Sequence, residues 1–219
     1  MKIAVVGVTG MAGSRVAAEA VRRGHVVSGF SRSGGGGGGV ASFTADATDP
    51  GAAARVAARH DVIVLATRPT PGAEDGVRAL VTTVLDAALG FGRRVLVIGG
   101  AGPLRSPDSD LLVVDDPRFV PRRWRTTARA SVDQFNACLS HPADWTYLSP
   151  PALFAPGDRT GAYRRGGNRI LVDADGESRI TAEDLAVAAL DEIESPRPGP
   201  RHFTVAAAFE PPGPGCGST

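Results

Sequence analysis

Apolar residues in this chain come in short unbroken runs, separated by stretches in which they recur every three or four positions. Residues 3–6 read as a buried strand, and 26–30, 40–45, 62–66 and 95–98 as four further strands. Residues 12–23, 50–59 and 73–89 have helical spacing, and the third carries a stripe of Val77, Leu80, Val81, Val84, Leu85 and Ala88. Pro50 suits the first turn of its helix. Beyond residue 98, glycines and prolines break up 99–123, residues 126–140 are helical, and 145–148 form a strand. An irregular stretch over 149–167 leads to a short predicted strand at 170–172. Thr181 reads as the N-cap of the last helix, with Glu183 and Asp184 in its first turn, and 203–206 ends the sheet.

Strands alternating with helices imply parallel βαβ units joined by right-handed crossovers. The predicted fold is therefore Rossmann-type α/β: a doubly wound, mostly parallel sheet with helices on both faces, in a single domain. That domain is expected over 1–209, with 210–219 a disordered tail and the six glycines of 34–39 a flexible loop. Ligands of such sheets bind beyond the carboxyl ends of the strands. The irregular segments at about 100–123 and 149–168 fall on that edge and are expected to be substrate loops.

Composition narrows the function classes. The 219 residues are 42% hydrophobic and 21% charged, and a net charge of +1 gives no global field for nucleic acid or an anionic membrane. Cys138 and Cys216 make neither a disulfide framework nor a metal cluster. His25, His60, His141 and His202 are scattered outside any zinc-type spacing, so no metal is expected. No stretch is long and apolar enough to span a bilayer, and the opening strand lacks a signal-peptide pattern, so a cytoplasmic location is expected. Gly-x-Ser-x-Gly, the hydrolase elbow, is absent.

The chemistry begins at Gly7-Val8-Thr9-Gly10-Met11-Ala12-Gly13, directly after the first strand and opening the first helix. The first glycine permits a tight turn, the second lets the backbone approach a pyrophosphate, and the third lets helix and strand pack closely. Free amides at the helix start, around Met11 and Ala12, then face the diphosphate, and Thr9 adds a hydroxyl. A turn that merely connects strand to helix is the plainer alternative. After the second strand comes Phe30-Ser31-Arg32-Ser33, without the carboxylate that would hold the ribose hydroxyls of NAD. Arg32 suits a 2′-phosphate, which favours NADP while leaving NAD possible. Arg15 is either a second positive contact or a solvated arginine. Asp46 and Ala47, after the third strand, are placed to meet the adenine, although Asp46, Thr48 and Asp49 can instead cap the next helix. Small residues at Ala66, Thr67 and Gly99 leave room for ribose and ring at the ends of the fourth and fifth strands.

Together these residues resemble the atypical short-chain dehydrogenase/reductases, in particular the NAD(P)H-binding group known as NmrA-like or NADH-flavin-reductase-like. The resemblance covers about residues 1–206. It rests on the glycine turn, on Val97-Ile98-Gly99-Gly100-Ala101-Gly102, on the stretch from Asp144 through Pro150-Pro151 to Pro156-Gly157-Asp158-Arg159-Thr160-Gly161, and on Asp175–Ile180 followed by Asp184-Leu185-Ala186. It implies that Pro150 and its neighbours lie near the nicotinamide. The chain departs from typical reductases of that superfamily, which use a Tyr-x-x-x-Lys pair for proton transfer. Tyr147 and Tyr163 are followed four positions later by Pro151 and Gly167, and the sole lysine is Lys2. The expected activity is therefore NADPH-dependent reduction of a conjugated small molecule such as a flavin or quinone, where solvent can supply the proton. Tyr163 is a weak catalytic candidate that can stack on or donate to such a substrate, or simply cover the core; Arg159 can hold its loop or meet an anionic substrate. A non-catalytic NADP-binding redox sensor is the main alternative, and an epimerase or dehydratase the third. The sequence carries no signal for oligomeric state.

Overall fold

The structure is a computed structural model that describes residues 1–35, 40–69, 72, 74 and 76–208. Most of the 34–39 glycine loop, residues 73 and 75 of the predicted 73–89 helix and the 210–219 tail lie outside the described residues. In chain order the elements are β1 (Lys2–Val6), α1 (Met11–Arg22), β2 (Val26–Ser31), β3 (Ala41–Thr44), α2 (Pro50–Arg59), β4 (Val62–Leu65), α3 (Gly76–Gly90) and β5 (Arg94–Ile98). There follow α4 (Arg125–Leu139), β6 (Trp145–Ser149), β7 (Leu153–Ala155), β8 (Tyr163–Gly166), β9 (Arg179–Thr181), α5 (Ala182–Glu194) and β10 (His202–Ala207). Eight strands form one sheet in the order β3-β2-β1-β4-β5-β6-β10-β8, all parallel except β8, which runs against β10. This is the doubly wound Rossmann-type α/β architecture.

The two-residue period of the strands divides the apolar core between the faces of the sheet. Ile3 and Val5 point to a layer closed by α1 and α5, where Val16, Ala17, Leu185, Ala189 and Leu190 are buried. Ala4 and Val6 point to the opposite layer, closed by α2, α3 and α4 through Val56, Val81, Leu85 and Cys138. The first helix and the third therefore lie on opposite faces, and the strand order reverses between β1 and β4. A crevice opens there at the carboxyl ends of the strands.

Three short strands escaped the sequence pattern, and one prediction is corrected. The segment 170–172 is not a strand. The Ile170 amide donates to the Arg105 carbonyl at 2.9 Å, so the residue is held by the 99–123 segment rather than by a ladder. Ile170 joins Leu104, Val113 and Val120 in a small separate core, which gives that irregular segment an interior of its own. β8 reads Tyr-Arg-Arg-Gly, too polar to register as a strand, yet it covers the free edge of β10. β7 and β9 form a separate two-stranded sheet.

Candidate functional site

A cleft of about 400 Å³ occupies the crevice between β1 and β4. Its walls bring together Gly7, Thr9, Gly10, Arg32, Asp46, Ala47, Ala66 and Thr67, all named from the sequence. The glycine turn owes its shape to contacts that no side chain could share. Gly7 has φ +90°, and a Cβ there would lie 2.5 Å from the Ala66 carbonyl oxygen. A Cβ on Gly13 would lie 2.2 Å from the Gly7 oxygen, so this third glycine sits behind the turn and sets how closely α1 approaches β1. The Gly10 amide donates to the Gly7 carbonyl at 2.9 Å, which closes the turn. No side chain caps α1, and its first turn holds no acidic residue. Met11, Ala12 and Gly13 thus open a helix whose amides and dipole favour an anion.

Arg32 and Asp46 stand on the rim beyond β2 and β3. The Thr48 amide and hydroxyl both donate to Asp46 Oδ1, at 2.9 and 2.8 Å. Those bonds, with a smaller contribution from the charge of Arg32, hold the Asp46 carboxyl below its usual range. The N-cap of α2 is Asp49, which accepts from the Gly51 amide. Asp46 thus keeps a local turn while lining the cleft, and the capping is done by its neighbour. Ser31 also lines the cleft, and its buried hydroxyl has no hydrogen-bond partner among the described residues. The cleft includes residues that the sequence reading left without a ligand role: Arg68 and Pro69 after β4, and Val77 and Leu80 on α3. The helical stripe contained Val77 and Leu80, but periodicity alone does not separate a pocket wall from core.

The remaining named residues lie elsewhere. The space left by Gly99 is filled from within the protein, since a Cβ there would lie 1.8 Å from the Tyr147 hydroxyl. Tyr147 is fully buried and donates to the Ser131 carbonyl and to Gln134 Oε1, each at 3.0 Å. Burial holds its pKa well above the ordinary phenol value. Gly102 likewise admits the α4 backbone, its would-be Cβ only 2.3 Å from the Ala128 oxygen. Pro150 is buried directly after β6 and does not line the cleft. Tyr163 donates to Asp191 Oδ2 at 2.7 Å, and its pKa is pushed up to about 12 by burial and by that carboxylate. It packs against the α1–α5 core.

Arg15 and Arg159 are engaged in the same layer. Arg15 Nε donates to Glu183 at 3.0 Å, while Glu183 also accepts from the Gly157 amide at 2.8 Å. Arg159 Nε donates to Glu19 at 2.9 Å, and Asp184 accepts from the Thr160 hydroxyl and the Gly161 amide. The stretch after β7 is therefore a strap clamped to α1 and α5 by Glu19, Glu183 and Asp184. Burial opposes ionisation of Glu19, but hydrogen bonds from Arg22, Arg159 and Arg23 hold its carboxyl far below the usual range.

The NAD(P)H-binding family matches residues 7–196. The chain belongs to that family. YwnB of Bacillus subtilis (strain 168) is 33% identical, covering 96% of this chain and 100% of the relative. A Burkholderia pseudomallei crystal structure, of a protein provisionally described as exported, is 40% identical with TM-score 0.82, covering 94% of this chain and 99% of that one. A Bacteroides thetaiotaomicron structure, provisionally described as an epimerase, is 29% identical with TM-score 0.85, covering 95% and 98%. The expected NAD(P)H-binding family is borne out, and a nicotinamide dinucleotide is the cofactor class of that family. The glycine cradle, the uncapped start of α1 and the orphaned Ser31 hydroxyl fit such a group. Among the described residues, no helix is long and apolar enough to cross a membrane, and no cluster of three or more His, Cys, Asp or Glu is placed to hold a metal ion.

Proposed function

We propose that this member of the NAD(P)H-binding family is an NADPH-dependent reductase of a conjugated small molecule, a flavin or quinone. Bound in the cleft, the cofactor would supply a hydride. Gly7, Gly10, Met11, Ala12 and Thr9 would hold its diphosphate, while Arg32 and Ser31 would take the 2′-phosphate, with no carboxylate at the end of β2 to repel it. Asp46 and Ala47 would meet the adenine, and Ala66 and Thr67 the ribose. The α3 residues Val77 and Leu80 would exclude water from one side of that pocket.

The observation that carries the choice of acceptor is the state of Tyr147. Its hydroxyl is sealed in the core against Ser131 and Gln134, and the chain has no lysine besides Lys2 to lower a tyrosine pKa. Reduction of an isolated ketone needs a positioned acid of suitable pKa. A conjugated ring takes hydride into a delocalised system, with solvent supplying the proton, so binding and orientation can provide most of the acceleration. The provisional name of the Bacteroides relative favours epimerisation as a second reading; the sealed Tyr147 weighs against it, because epimerisation needs an acid and a base facing the substrate. Oxidation of NADPH, followed at 340 nm with a panel of flavins and quinones, tests the proposal. Turnover on at least one acceptor is expected; tight NADPH binding without turnover on any of them would favour the non-catalytic sensor.

A further inference from the structure

The segment between β5 and α4 balances four arginines with four aspartates, but its ion pairs do not use all of the arginines. Arg118 is paired with Asp108 and Asp116, Arg125 and Arg129 share Asp115, and Arg105 meets Asp110. Arg122 and Arg123 are exposed, and neither has an ion-pair partner among the described residues. They stand with Trp124 on a single 3-10 turn, Arg122–Trp124, that leads directly into α4. Trp124 is 54% exposed, unusual for so large an aromatic residue.

The position of this turn links it to the site. As a crossover helix between the parallel strands β5 and β6, α4 begins at the carboxyl edge of the sheet. Its first turn is fixed there by the contact of Ala128 with Gly102, four residues beyond the end of β5. Ala128 packs against the small core of Leu104, Val113, Val120 and Ile170. Trp124 lies one helical turn before Ala128, on the same side of the helix. Arg122, Arg123 and Trp124 therefore stand at the carboxyl edge of the sheet, where α4 begins.

We infer that Arg122, Arg123 and Trp124 select an anionic conjugated acceptor, the indole stacking on its aromatic plane and a guanidinium pairing with its phosphate or carboxylate. The inference rests on the reductase reading and narrows its substrate class. A guanidinium suits an oxyanion through paired N–H donors, and an aromatic face offers stacking area at little entropic cost.

The test uses flavin mononucleotide and riboflavin, which share the ring and differ by one phosphate. Calorimetry on the full chain saturated with NADP⁺ measures binding without turnover. Flavin mononucleotide is expected to bind about tenfold more tightly than riboflavin, the scale of one charge-assisted contact. The Arg122→Ala/Arg123→Ala double variant should bring the two within about twofold, and Trp124→Ala should weaken both. Equal binding of the two flavins by the wild type, or an unchanged preference in the double variant, overturns the inference. If NADPH oxidation by riboflavin and flavin mononucleotide proceeds equally in all variants, the inference falls while the reductase reading stands. If the phosphate preference follows the arginines but no flavin is reduced, the recognition surface stands and the reductase reading falls. Binding of neither flavin overturns the inference.

Discussion

A methyl group on Gly13 would collide with the Gly7 carbonyl oxygen, a backbone atom that cannot rotate away. Gly13→Ala should therefore force α1 off β1, cost about 3 kcal/mol of stability and abolish dinucleotide binding, as read by urea denaturation and calorimetry. A midpoint equal to that of the wild type would refute the packing role. His202 supplies a second test at this scale. It is buried, its Nε2 lies 2.9 Å from Ser149 Oγ, and burial lowers its pKa from 6.5 to about 4. The folded protein resists the proton that the unfolded chain accepts, so this contribution is complete above pH 6.5 and is lost as pH falls toward 4. His202→Gln should remove about 2 kcal/mol of the stability decline between pH 7 and 5, measured by urea midpoints across that range. An undiminished decline would show that His202 does not drive it. Gly99 was identifiable as a place where a side chain is missing, but only the fold shows Tyr147 filling the gap.

At the scale of elements, the strands and helices with strong apolar periodicity were legible, from β1 through β6 and in β10; β1, β4, β5 and β6 are largely buried on both faces, whereas β3 is an exposed edge strand. What periodicity could not supply was pairing imposed by distant segments. β8 is a strand because β10 needs an edge partner, although two of its four residues are arginines. The predicted strand at 170–172 fails because Ile170 is apolar for a different reason: it seats in the small core beneath the 99–123 segment. The strap after β7 was read as an irregular loop, and its order comes from carboxylates on α1 and α5 that lie far away in sequence. Asp184→Ala should leave the Thr160 hydroxyl and the Gly161 amide without their acceptor, at a cost of about 1–2 kcal/mol. Hydrogen exchange over residues 157–163 should accelerate while the central strands stay protected. Unchanged exchange in that stretch would show that the strap is held by other contacts.

At the scale of the whole molecule, the reversal of strand order between β1 and β4 turns scattered residues into a site. It brings the glycine turn, the end of β2, the end of β3 and the start of α3 around one cleft, though they are spread over more than seventy positions of sequence. The sequence named eight of these cleft residues because each follows a recognisable strand. It missed the α3 wall because an apolar helix stripe looks the same whether it faces core or ligand. Gly99 and Pro150 follow the neighbouring strands β5 and β6 and do not line this cleft. The proposed reading has the cleft take NADPH through the glycine turn and Arg32. Titration calorimetry of NADPH and NADH against the wild type and Arg32→Ala tests this most directly. One site per chain is expected, with NADPH at least about tenfold tighter than NADH in the wild type and a preference reduced to about twofold in Arg32→Ala with NADH affinity unchanged. Equal affinity for the two dinucleotides in the wild type, or equal losses for both in the variant, would contradict it.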